Sequence, residues 1–234
     1  MNTSVPSWVE FGALERKTCY GDGAFPVWPT AFDLLPRDEW EPVDLNRHVK
    51  TIYSQADGMC TANGGCGVVM AERSFRGEPP VVLSPEHLYG QVAQWGEGSS
   101  LDDILQALIS TGVCDREMIP PEKWDPKTWP SVHIWKLNAL RNRIVEAADC
   151  GSNFAAVASA IQRRKFCLVG VYWPGTRRGG HAVAATELWK DGNEWGIGGP
   201  NSWGTNWGKN GYYRLSEREC DGFPLGAWAI GASA

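Results

Sequence analysis

The stretch GPNSWGTNWGKNGYY, residues 199–213, decides the fold. Glycine recurs in it too often for a helix and its bulky residues follow no 3.6-residue period, so it reads as a rigid turn between strands. Such a turn holds Asn201 in a fixed place, with Trp203 and Trp207 as apolar shields. An amide held under indole rings is suited to orienting another side chain away from water, and histidine is the natural recipient. His181 lies upstream in GGHAVAAT, a small-residue strand start whose imidazole would face a cleft. The set then needs a nucleophile further upstream, and Cys60 in SQADGMCTANG is the candidate.

The order Gln55, Cys60, His181, Asn201, together with NSWGxxWGxxGY, resembles the papain-like cysteine peptidases. The resemblance runs from about Pro29 to the C-terminus. PTAFDL at 29–34 is similar to the segment that opens the mature domain, while VLSPEHLY at 82–89 and GEGSSLDDILQALISTGV at 96–113 are similar to bacterial members. It implies an α+β, two-lobed papain-like fold, with an N-terminal extension at 1–28 and the peptidase domain at 29–234. A mainly helical lobe (about 29–130) would carry the nucleophile and a mainly β lobe (about 131–234) the histidine and asparagine, with the active site between them.

The same resemblance implies the roles. Cys60 attacks an amide carbonyl to give a thioester, His181 shares its proton as an ion pair and later protonates the leaving amine, Asn201 fixes the ring, and Trp203 excludes water from that hydrogen bond. Gln55 joins the backbone N–H of Cys60 in holding the oxyanion. The loop from Gln55 to Cys60 is one residue shorter than usual, so either it tightens around Gly58 or Gln55 misses that position. Gly180 stands before His181 where many relatives have aspartate. Asp57 stands where secreted relatives carry a disulfide cysteine, which argues for a reducing compartment. His48, His87 and His133 have no motif context and read as surface or packing residues.

Composition narrows the classes. With 43% hydrophobic and 21% charged residues the chain is neither disordered nor membrane-spanning, and its net charge of −5 gives no reason to expect nucleic acid. The basic run Arg163, Arg164, Lys165 sits at an expected helix end, where it complements the dipole. Seven cysteines without CxxC spacing argue against zinc, and neither metal nor cofactor is expected. Cys66, Cys114, Cys150 and Cys167 read as buried free thiols. No signal peptide is visible, so a cytoplasmic or virion-associated location is expected.

Along the chain, a helix is expected after Cys60, with Val68, Val69, Met70 and Phe75 buried. Gly64, Gly65 and Gly67 each weaken it by about 1 kcal/mol, tolerable where a side chain would clash. Its N-terminal dipole favours thiolate at Cys60. Ser84 and Ser100 cap helices at 85–95 and from Leu101 to Gly112, and 119–132 is a loop. Helices follow at 137–149 and 153–164, the second capped by Asn153. Strands are expected at 166–173, 181–189, 194–198, 211–215 and in GAWAI near the end. The functional expectation is a thiol-dependent peptidase acting on a polypeptide. The alternatives are cleavage of cell-wall peptides, or service as scaffold or delivered enzyme in a larger assembly such as a phage particle, joined through the N-terminal arm.

Overall fold

The computed structural model describes residues 5–6, 11, 13–14, 28–29, 33–55, 58–92, 98–121, 133–176 and 179–231. The fold is α+β. A five-stranded sheet has the order β1 (Trp28–Pro29), β3 (Ala147–Asp149), β9 (Ala227–Ile230), β4 (Phe166–Tyr172), β5 (Gly180–Ala185). A four-stranded sheet has the order β2 (Val43–Asp44), β6 (Glu187–Asp191), β7 (Glu194–Pro200), β8 (Tyr212–Ser216). The helices are α1 (Cys60–Phe75), α2 (Pro85–Gly90), α3 (Leu101–Ser110), α4 (His133–Leu140), α5 (Phe154–Gln162) and α6 (Glu217–Cys220). Among the described residues no helix is long and apolar enough to cross a membrane.

The central helix α1 forms despite its glycines because most of its residues, Cys60 to Cys66 and Val68 to Glu72, are buried. A methyl group on Gly64 would lie 2.7 Å from Leu168 Cδ1, and one on Gly65 2.8 Å from Ile104 Cγ2, so the small residues let α1 approach the first sheet and α3 closely. Caps set the neighbouring helices. The Ser84 hydroxyl accepts from His87 N (3.2 Å), Ser100 from Asp103 N (3.1 Å), and the Asn153 amide oxygen from Ala155 N (2.9 Å). Gly112, at φ +80°, ends α3 as expected.

Four expectations need correction. The stretch 181–189 is two strands, because Thr186 transfers the chain from one sheet to the other: its N–H donates to Gly198 O, its carbonyl accepts from Leu45 N, and its hydroxyl donates to Asn46 Oδ1. Residues 147–149 belong to β3 rather than to a helix, since pairing with β9 outweighs the weak preference of Ala-Ala-Asp, and α4 ends at Leu140. The helix starting at Pro85 ends at Gly90, with residues 93–97 outside those described. Phe75, expected in the core, is 40% exposed at the last position of α1, edge-on to His48 and Phe166. Most of the 119–132 loop also lies outside the described residues.

Candidate active site

Cys60 is the first residue of α1, so its side chain stands at the amide end of the helix dipole. His181 is the second residue of β5. The packing of helix on strand sets their relative position. Built Cβ atoms on Gly64 and Gly67 would meet Val183 C and Ala184 Cβ, each at 3.5 Å, so α1 and β5 advance in the same direction. Cys60 lies one turn, about 6 Å, before Gly64. Stepping back that distance along an extended strand covers roughly two residues and reaches the Gly180–His181 step.

Asn201 follows β7 and faces the ring. Its Oδ1 lies 2.8 Å from His181 Nε2 and also accepts from Ser202 N at 2.8 Å. Because the second donor is a backbone N–H, that atom is the amide oxygen, so Nε2 must carry the proton it shares. Nδ1 is then the acceptor in the neutral ring, and it is buried without a hydrogen-bond partner among the described residues. Rings enclose the imidazole: Trp203 lies at 4.8 Å between centroids, Trp173 edge-on at 5.1 Å and Phe11 edge-on at 6.0 Å. Both Cys60 and His181 are fully buried. Burial pushes the imidazole down to about 4, against the upward pull of its bond to Asn201.

Gln55 reaches the same region despite its short loop. Its N–H donates to Ser202 O (2.8 Å), Ser54 pairs with Trp203, and the Ser202 hydroxyl donates to Gln55 Oε1. The side-chain oxygen is therefore engaged and the NH₂ is the end able to donate elsewhere. Residues 56–57, including the position of Asp57, lie outside those described. Beside the nucleophile, Thr61 and Ser99 share a hydroxyl hydrogen bond of 2.6 Å, which ties the start of α1 to the chain before α3.

Sequence reasoning missed Ser202, Trp173 and Phe11. Ser202 was within reach, because it lies inside the NSW motif; Trp173 and Phe11 carry no local signal. The turn at 201–211 is as expected, with Gly204, Gly208, Asn210 and Gly211 all at positive φ. Cys66, Cys114, Cys150 and Cys167 are buried free thiols. His87 is buried and packs with its Nδ1 facing Gln91 Nε2 (3.0 Å), while His48 is half-buried. Among the described residues no three His, Cys, Asp or Glu side chains are grouped to hold a metal.

The fold is papain-like. The chain superposes on xylellain, a cysteine protease from Xylella fastidiosa, with a TM-score of 0.78 at 18% identity, covering 97% of both chains. It also matches digestive procathepsin L 3 from Tenebrio molitor larval midgut (TM-score 0.71, 15% identity, 96% of this chain and 77% of that one). A third match is bromelain protease from Ananas comosus in complex with the E64 inhibitor (TM-score 0.61, 19% identity, 81% of this chain and 97% of that one). The sequence matches no protein-family model and no curated protein.

Proposed function

We propose that the protein is a cysteine-type peptidase that hydrolyses peptide bonds of a polypeptide through Cys60, His181 and Asn201, with Gln55 as oxyanion donor. The observation that carries this reading is the His181–Asn201 hydrogen bond, set under Trp203. Its neighbours in fold include a cysteine protease from Xylella fastidiosa and a protease complexed with an inhibitor.

In the first half-reaction the Cys60 proton resides on His181 Nδ1, the only ring nitrogen not committed to Asn201, and the thiolate attacks the carbonyl carbon. The oxyanion accepts from Cys60 N–H and Gln55 Nε2. As the C–N bond breaks, Nδ1–H protonates the leaving amine and a thioester remains. Water then attacks the thioester, giving a proton to Nδ1 that returns to the departing sulfur. Asn201 keeps Nε2–H pointing away from the reaction, so that the ring cannot flip during either transfer.

The test is hydrolysis of an unfolded polypeptide by the purified full chain. Cleavage should disappear in Cys60→Ala and fall sharply in His181→Ala; cleavage that survives Cys60→Ala overturns the reading. Purified peptidoglycan in a parallel assay separates protein chains from cell-wall peptides as the substrate.

A further inference from the structure

We propose that the hollow on the four-stranded sheet between Asp44 and Lys209 is a binding site for a short peptide, two or three residues long with both termini free, its ammonium held at Asp44 and its carboxylate at Lys209. None of the residues that line the hollow belongs to the set proposed for peptide hydrolysis, so the site stands or falls independently of that reading.

The hollow follows from one row of residues across the sheet. Asp44 on β2 pairs with Glu187 on β6, Glu187 with Gly198 on β7, and Gly198 with Arg214 on β8, so the row shares one face. Gly198 leaves a gap in it: a built Cβ would lie 2.5 Å from Glu187 Oε2 and 3.3 Å from Arg214 Cγ. Through that gap the Arg214 guanidinium closes over β7 onto the Glu187 carboxylate, Nε donating to Oε2 at 3.3 Å and Nη2 to Oε1. The row thus holds two carboxylates side by side, an unfavourable pairing, and one cation that is committed to Glu187. Asp44 is left without an ion-pair partner among the described residues; its Oδ1 accepts from Asn46 N at 2.8 Å.

A complementary cation lines the same hollow. Lys209 lies in the tight turn before β8, between Gly208 and Asn210, both at positive φ, and it too has no ion-pair partner among the described residues. Tyr212, two residues before Arg214 and so on the same face, adds a phenol with no hydrogen-bond partner among the described residues. Burial, and then the charge of Asp44, push that phenol above its ordinary value, which ties the carboxylate and the ring to one site. The cavity measures about 330 Å³, within the range of roughly 300–1,000 Å³ usual for small-molecule pockets. Its length selects the ligand. Strands β2 and β8 are three spacings apart, about 14 Å in a flat sheet and less in a curled one. A single amino acid carries both charges on one residue and is too short. Two or three residues at about 3.4 Å each, with an ion pair of about 3 Å at either end, span the distance.

The experiment is calorimetric titration of the full chain with alanyl-alanine at low ionic strength, where exposed charges are least screened. Cys60→Ala is present throughout so that no peptide bond is cut. The peptide should bind with a Kd of about 1–10 mM, and acetylating its amine or amidating its carboxylate should each weaken binding at least threefold. Asp44→Asn, which keeps the acceptor for Asn46, should weaken binding at least threefold and abolish the effect of acetylation while preserving that of amidation. Lys209→Gln should do the reverse. Absence of saturable binding up to 50 mM peptide overturns the site. So does a loss below threefold in either variant, which places the peptide elsewhere, the cleft beside His181 included. Because the titration reads binding alone, failure of the Cys60-dependent hydrolysis assay leaves its result untouched.

Discussion

Ser202 is placed to steer the proposed reaction without touching it. Its hydroxyl donates to Gln55 Oε1, which directs the NH₂ end toward the proposed oxyanion, while its backbone N–H fixes which atom of Asn201 meets His181. Gln55→Ala should lower kcat by roughly 10²-fold or more, the usual loss for one oxyanion donor. Ser202→Ala should lower it about tenfold with KM little changed, and the double variant should be no worse than Gln55→Ala, since both act through one amide. Steady-state kinetics of the three variants checks this; additive losses contradict it. A second residue sets a pH dependence. Glu72 on α1 is buried with Oε2 unpartnered among the described residues, and burial pushes its carboxyl from 4.5 up to about 7, against Lys165 and Arg76, which draw it down. Between those values the folded chain holds a proton that the unfolded chain has released, so this contribution to stability is full below the unfolded value and is lost as pH rises through about 7. Melting temperature should therefore fall less between pH 5 and pH 8 in Glu72→Gln than in the natural chain, by a few degrees; parallel curves contradict the assignment. The proposed set Gln55, Cys60, His181 and Asn201 could be picked out because each residue sits in a short motif of distinctive types. Ser202 was visible but mute, because its role depends on a partner 147 positions away.

At the scale of elements, the glycines of α1 separate into those that packing requires and one that it does not. Cβ atoms on Gly64 and Gly65 would lie within 2.8 Å of Leu168 and Ile104, whereas one on Gly67 meets only Ala184 Cβ at an ordinary 3.5 Å. Gly67→Ala should stabilise the protein by up to about 1 kcal/mol, the helix-propensity gain. Gly65→Ala should destabilise it, and Gly112→Ala by about 3 kcal/mol or more, because φ is +80° and Ala139 O would be 2.0 Å from the new methyl group. Urea unfolding of the three variants reads these signs, and equal effects for Gly65 and Gly67 contradict the packing account. Local periodicity revealed α1, α3, α5 and most strands. It could not reveal that Thr186 splits one apolar run between two sheets, nor that Ala147–Asp149 is a strand, because long-range backbone pairing decides both.

At the scale of the molecule, Phe11 of the N-terminal segment stands edge-on to His181 and Trp203, and nothing local in the sequence marks it, because chain segments more than 150 positions apart meet there. A thiolate and an imidazolium form readily where water can solvate them, whereas burial favours the neutral pair. The measurement that bears most directly on the central claim is the pH profile of Cys60 alkylation by iodoacetamide in the full chain, with and without His181→Ala. An ordinary thiol gains reactivity only near its free value of about 8.5. The account predicts substantial reaction persisting at pH 6 in the natural chain, collapsing in His181→Ala to a single rise near the ordinary thiol range. A natural-chain profile that already shows only that late rise, unchanged by loss of His181, would contradict it.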